Sequence, residues 1–457
     1  MKTPFLQTVR QRSAQLGHRL RETRLAQVVL RFFALCERHS FLTQCLLVVL
    51  LRLSLDILYV TVLSPIYGYS GFTTSIQPLF YSVSWIGLLV FLPFVVRIGE
   101  LRTPSSLMVN FMNYLFFIPA TSFAGCYRCE TRFFIILLLF WASLLFFQFR
   151  LPILFLRQAE RHANRTVMIL LTVFSSVFVL YISGRYTGFR FTLDITNEYL
   201  YRLEAREYPV SVFSSYLLSM LPLALSILIF YWTECRKWLI STALIVVYIF
   251  RFSYDTQKSI FFILLLVLVC RFFFREWMLR WASGLLLLFT AAAFAENKII
   301  GTFFLVGAFI RRMMFLPIRL CTQYDSFFRM NPLSLYRDGI MGKLSFSSIY
   351  PMPTARIIGE YLGNSETNAN TGLLGDLFAN LPLFPGIILL PLILVICFRL
   401  LDMAAHSSRQ QMIVPISFYY ACCFVSGFWS TTLLSNGFLL ICILLYFYPN
   451  EEGLSHG

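Results

Sequence analysis

The chain has 457 residues, 58% of them hydrophobic and 17% aromatic, and its mean hydropathy is +0.72. A soluble domain carries an apolar share of about 45–50%, so this composition excludes a water-dissolved fold and requires that most of the chain lie in lipid. The formal net charge of +16 does not point to nucleic acid, because the basic residues flank apolar runs instead of gathering into one patch.

Residues 1–40 form a basic arm in which Arg10, Arg12, Arg19, Arg21, Arg24 and Arg31 are interleaved with Leu16, Leu20, Leu25, Val28, Val29 and Leu30. The pattern fits an amphipathic helix resting on anionic lipid and fits a solvated basic tail equally well. The first apolar run, Phe41 to Val62, has no small-residue cleavage site behind it and reads as a first span rather than a signal peptide. Within it, Arg52 and Asp56 stand four apart on one helix face. Such a spacing suits an ion pair joining two helices, or a polar pathway through the membrane.

About twelve runs of roughly twenty apolar residues follow one another, centred near Leu51, Leu88, Phe116, Phe140, Phe174, Ala224, Val246, Leu265, Leu287, Ile393, Phe418 and Leu440. A spanning backbone must satisfy its own polar groups, and period-two segments are few, so the predicted fold class is all-α: a polytopic transmembrane helical bundle. Residues 299–310 are too short for a span of their own and either extend the preceding one or re-enter the membrane. Cys126 and Cys129 are too isolated for a zinc site; free thiols are the simplest reading, and a disulfide needs an oxidising compartment.

Arg97 and Arg102, then Arg150, Arg157, Arg161 and Arg165, then Arg236 and Lys237, then Arg275 and Arg280, and finally Arg409 fall on the same side as the N-terminal arm. Basic short loops mark the cytoplasmic side, so both termini are placed inside, with a tail over residues 449–457 and one transmembrane domain over 41–448. Two longer loops, residues 184–209 and 311–385, then face outward. Both are rich in arginine against the usual bias: Arg185, Arg190, Arg202 and Arg206 in the first, and Arg311, Arg312, Arg319, Arg329, Arg337, Lys343 and Arg356 in the second. An anionic ligand is a reason for such cations.

The first loop mixes its arginines with Asp194, Glu198, Glu204, Glu207 and aromatic rings, which suits phosphate and sugar and equally suits a surface helix with internal pairs. Arg311 and Arg312 are adjacent at a membrane boundary, where they serve as snorkelling anchors or neutralise a lipid-borne pyrophosphate. The Thr256 to Ser259 turn adds Lys258 on the same face. In the second loop, the stretch from Arg356 to Gly386 concentrates Glu360, Asn364, Glu366, Asn368, Asn370, Thr371, Asp376 and Asn380 among glycines. No P-loop, GxGxxG, HExxH or GxSxG is present, so nucleotide-driven transport, nicotinamide redox chemistry and familiar hydrolase designs find no support.

In order, RLSLDILYV, SGRYTGFR, TQKS, the Arg311–Arg312 pair, GEYLGN and NTGLLGDLFANLPLFPG resemble the O-antigen polymerase (Wzy) family of oligosaccharide repeat-unit polymerases. The segment LPLFPG departs from the small, glycine-rich run more usual there. The resemblance implies a GT-C-type membrane glycosyltransferase in a bacterial inner membrane, metal-independent and without cofactors, acting on the periplasmic face. Its substrates would be undecaprenyl-pyrophosphate-linked oligosaccharides, its surroundings membrane lipids, and a chain-length regulator protein would be among its partners.

On that resemblance Arg311 and Arg312 bind the leaving pyrophosphate. Arg185 and Arg190 hold the donor or the acceptor, and Glu360 or Asp376 takes the attacking hydroxyl's proton. Asn368 and Asn370 orient sugar hydroxyls, and Lys258, Arg319, Tyr324 and Arg356 complete the substrate-binding set. Two rival readings stay open. An O-antigen ligase shares the donor, but ligases resemble one another in using an external histidine; here His18, His39, His162, His406 and His456 fall on the inferred inner side or near a terminus. A lipid-linked oligosaccharide flippase would show two similar halves and mid-membrane charges on several helices.

Overall fold

The computed structural model describes residues 40–154, 161–193, 197–338, 347–364, 367–405 and 409–449, and among them the regular secondary structure is helical throughout. The basic arm, Asp194, Lys343, Glu366, His18, His39, His406, His456 and the tail from residue 450 lie outside the described residues, as does the side chain of His162.

Among the described residues, ten helices are long and apolar enough to cross a membrane. They are α1 (Ser40–Ser70), α2 (Pro78–Glu100), α3 (Pro104–Arg128), α4 (Thr131–Arg150), α5 (Asn164–Thr187), α7 (Val212–Glu234), α8 (Trp238–Asp255), α10 (Ala282–Ile300), α14 (Leu383–Ala405), and a last span made of α16 (Trp429–Leu434) and α17 (Phe438–Tyr446). Two further apolar helices, α9 (Lys258–Phe273) and α15 (Gln410–Ser426), are shorter, at 16 and 17 residues. Every expected span centre from Leu51 to Leu440 falls in one of these helices. Shorter helices occupy the long connections: α6 (Glu198–Glu207), α11 (Val306–Phe315 continuing as Leu316–Phe328), α12 (Thr354–Tyr361) and α13 (Leu374–Asn380).

Helix α3 is the axis of the bundle: 94% of its most apolar stretch is buried inside the protein, against 17% for α10. Contacts between helix ends sort the connections onto two opposite ends. At one, Ser75 donates its amide to the Cys126 carbonyl at 2.9 Å, Arg329 pairs with Glu130 at 2.7 Å, and Arg190 reaches the Ser253 carbonyl. At the other, Gln410 bonds the Arg102 carbonyl, Arg399 bonds the Leu151 carbonyl, and Arg409 pairs with Glu234. The described residues of the segments 188–211 and 301–382 therefore share one end, the loop end.

Charges inside the bundle occur as matched pairs. Arg52 pairs with Asp56, and the guanidinium also bonds Thr121 Oγ1 at 3.0 Å, the Thr121 carbonyl at 2.7 Å and Ser84 at 3.2 Å, beneath the Trp85 ring. Asp56 accepts from Tyr81 at 2.8 Å and from Ser122, so the pair ties α1 to α2 and α3. Of the two roles open to this pair, the geometry is that of a helix-joining node. Arg251–Asp255 and Arg399–Asp402, which the sequence did not single out as pairs, are equally buried at 3.0 and 2.8 Å. Arg399 further bonds Ser105 and the Gln148 carbonyl. A buried ion is tolerated only when its remaining donors and acceptors are also met. Cys126 and Cys129 are free thiols, and Cys126 points at Asp56 Oδ1 from 3.6 Å.

Residues 299–310 divide between two helices. α10 runs on to Ile300, Gly301 turns at φ +79°, and α11 begins as a separate helix whose Val306 and Ile310 are buried. The last span is interrupted at Gly437, φ +74°. The carbonyls freed there are met by Ser219 on Ser435 and by Tyr420 on Asn436, as a broken helix in lipid requires.

Candidate functional site

The site is built on α11. Its start is held by Glu296, whose carboxylate accepts from Thr302 Oγ1 at 2.7 Å and from the amides of Phe304 and Leu305 at 2.8 Å, filling donors that a helix N-terminus leaves open. The turns over Val306–Phe315 are wound as π-helix and pack on the π-wound turns Tyr59–Leu63 of α1 and Asn113–Phe117 of α3. Such turns concentrate at functional sites because they re-aim side chains. One face of α11 buries Val306, Ile310, Met314 and Phe315.

The other face carries the arginines. The Arg311 guanidinium lies 4.5 Å from the ring centre of Tyr67, and that of Arg319 lies 5.3 Å from the ring centre of Phe72. Both are half-buried, whereas Arg312 is exposed. Gly71 turns with φ +84°, and a side chain at that position would collide with the Arg319 guanidinium. Tyr59, whose hydroxyl bonds the Thr73 carbonyl at 3.0 Å, and Tyr127, stacked on Phe123 at 4.6 Å, belong to the same surroundings. Burial pulls Arg319 below its ordinary range, with Tyr127 and Tyr59 opposing. The group remains a cation.

Among the described residues none of the three has a carboxylate partner, and the Nε groups of Arg311 and Arg319 are buried without an acceptor. Buried donors are ordinarily matched. Guanidinium forks held over aromatic faces with N–H groups unspent have the chemistry to accept an oxyanion.

The rest of the second loop packs around α11. α12 lies on it through Tyr361 and Phe327, 5.4 Å apart, and presents Arg356 and Glu360 to the outside. Ala369 is fastened from both sides, its amide to the Ala355 carbonyl at 2.8 Å and its carbonyl to the Tyr324 hydroxyl at 3.0 Å. That leaves Asn368 and Asn370 exposed on either side of it.

Residues 371–380 are buried without exception, so this half of the polar stretch is scaffold. Thr371 bonds the Pro317 carbonyl and Gly372 donates to Val425 at 2.9 Å. Asp376 accepts from Trp429 N at 2.8 Å, from Asn380 at 3.0 Å and from Tyr336. Burial raises its carboxyl to about 6. Tyr324 is likewise fully buried, and its hydroxyl is already used.

The first loop packs on α8 instead. Arg190 pairs with Glu204 at 2.6 Å, bonds the Ser253 and Tyr254 carbonyls and lies 4.4 Å from the Tyr201 ring. Its donors are spent, which makes it a strap where the sequence reading had a phosphate ligand. The Tyr208 hydroxyl and then Arg190 hold Glu204 below its ordinary value. Arg185 is exposed at the end of α5, and Lys258 is exposed at the start of α9. Arg311, Arg312 and Arg319 thus stand on α11, whose later turns carry the segment bearing Arg356 and Glu360 through Phe327 and the segment bearing Asn368 and Asn370 through Tyr324, while Arg185, Arg190 and Lys258 lie with α5, α8 and α9.

Sequence reasoning passed over Tyr59, Tyr67, Gly71, Phe72 and Tyr127. The signal for them was the run YGYSGF at residues 67–72, aromatics alternating with glycine directly after the first span. Among the described residues no group of three His, Cys, Asp or Glu side chains is placed to hold a metal ion.

No protein-family model, curated protein or solved structure matches the chain. The functional reading rests on the residues themselves.

Proposed function

We propose that this protein joins oligosaccharide repeat units carried on undecaprenyl pyrophosphate, in the manner of the polymerases its motifs resemble, on the outer face of a bacterial inner membrane. The observation that carries the reading is the set of carboxylate-free arginines, Arg311, Arg312 and Arg319, on a loop-end helix. In the reaction the acceptor sugar's hydroxyl oxygen attacks the anomeric carbon of the growing chain. A glycosidic C–O bond forms as the bond from that carbon to the pyrophosphate oxygen breaks, and the pyrophosphate leaves with the electron pair. Arg311 and Arg319 stabilise the charge it gains, and their aromatic backing keeps water from competing. The exposed carboxylate of Glu360 accepts the hydroxyl proton, and Asn368 and Asn370 position the sugars. Asp376, with its oxygens engaged, positions α13 rather than meeting substrate.

The test is incubation of purified protein in nanodiscs with a lipid-linked repeat unit, read as a ladder of products. Arg311→Ala and Arg319→Ala each abolish the ladder while leaving expression normal; an undiminished ladder in both overturns the proposal.

A further inference from the structure

The site described above has an open flank made of hydrocarbon. Residues 298–304, where α10 ends and α11 begins, are all exposed, among them Ile299 at 83%, Ile300 at 70% and Phe304 at 68%. Tyr69, at 85%, stands beside them through Tyr67, 6.3 Å ring to ring. This flank belongs to the least buried of the candidate spans. It reaches the arginines through one side chain, because the Tyr67 ring has Arg311 at 4.5 Å and Phe303 at 6.2 Å, edge-on. The other approach along α11 is closed, with Phe309 packed against Phe289 at 5.5 Å and Phe262 at 6.3 Å.

Resting on the anion-site reading, we propose that residues 298–304 together with Tyr69 are the lateral portal of this site. They seat the hydrocarbon chain of a lipid-borne phosphate whose head is bound at Arg311 and Arg319. Charge and polarity match along the path. Lys298 stands at the rim against the Phe294 ring, while the Glu296 carboxylate is turned away from an incoming anion by its three donors. A head group held at Arg311 delivers the first carbons of its chain onto Phe303 and then onto the exposed face of Phe304, Ile300 and Ile299. There they exchange contacts with lipid at no cost in apolar surface.

The experiment uses full-length protein in phosphatidylethanolamine–phosphatidylglycerol nanodiscs, with the photoreactive residue benzoylphenylalanine replacing Phe304 or, for reference, the lipid-exposed Ile396 of α14. The probe is radiolabelled undecaprenyl phosphate. Label at position 304 and not at 396, lost on adding excess inorganic pyrophosphate and lost in Arg319→Gln, is the expected result; the pyrophosphate arm needs no variant that must fold. Equal label at 304 and 396 overturns the portal, and leaves the anion site standing if retention of probe still depends on Arg319. Label at 304 insensitive both to pyrophosphate and to Arg319→Gln overturns the portal and the anion site together. An adduct of twice the protein's mass overturns the portal by assigning this flank to a second copy of the chain.

Discussion

Two carboxylates of the second loop show how position in the fold, and not residue type, assigns a role. Glu360 and Asp376 are sixteen positions apart and equally acidic by sequence. The first ends exposed on α12, and the second ends wholly buried with three donors around it. Burial lifts the Asp376 carboxyl from its ordinary 3.8 to about 6, so the folded protein holds this proton more tightly than the unfolded chain does. The stabilisation tied to that group is therefore full below pH 4 and is lost as pH rises through 6, a change on the order of 3 kcal/mol at most. The melting temperature should fall between pH 4.5 and 7.5 in the wild type and fall less in Asp376→Asn. Equal slopes in the two proteins would show that another group titrates.

The described part of the long second loop is an assembly of short helices whose backbone is tied to its neighbours at several points. α13 is tied to the last span by Asp376, to residues 334–336 by the Ala379 carbonyl and Asn380, and to α15 through Gly372. At Gly372 the requirement is closeness: a Cβ there would run into the Phe424 and Gly427 carbonyls, which are backbone and cannot step aside. Gly372→Ala should thus cost several kcal/mol, about 3 or more, or release the segment, a penalty typical of overpacking against fixed atoms. Faster hydrogen exchange at residues 369–377 than in the wild type is the outcome that checks it; unchanged protection would mean α15 can move. Of the two glycines in NTGLLGD, Gly372 approaches the backbone of α15 and Gly375 approaches the Thr371 side chain.

Across the whole molecule, the helices are held in register by paired charges at three depths. Arg52–Asp56 joins α1, α2 and α3 beneath the π-wound turn that carries Tyr59, so it also sets the wall against which Arg319 rests. Removing one partner leaves an uncompensated ion in an apolar interior, at a cost of about 3–5 kcal/mol, whereas replacing both by apolar residues of similar volume is far milder. Asp56→Leu should reduce the yield of folded protein from membranes severely, and Arg52→Met with Asp56→Leu should recover much of it, measured by size-exclusion profile in detergent. No recovery in the double variant would point to a role for the charges beyond joining helices.

The all-helical character and the position of each apolar segment were legible in the chain, because a backbone in lipid has no partner but itself. About twelve spans were expected; among the described residues ten helices reach the length of a span, the segments centred near Leu265 and Phe418 forming shorter helices of 16 and 17 residues. Cations at the loop end were legible for the same reason, since a charge cannot hide within a run of leucines. Which arginine is spent and which is free was not. Arg190 and Arg311 look alike in sequence, and the difference between them is a glutamate fourteen residues away in one case and a tyrosine from the first span in the other. Contacts between residues far apart in the chain leave no local pattern, so the roles of Arg190, Asp376 and Gly372 were decided only when the helices packed.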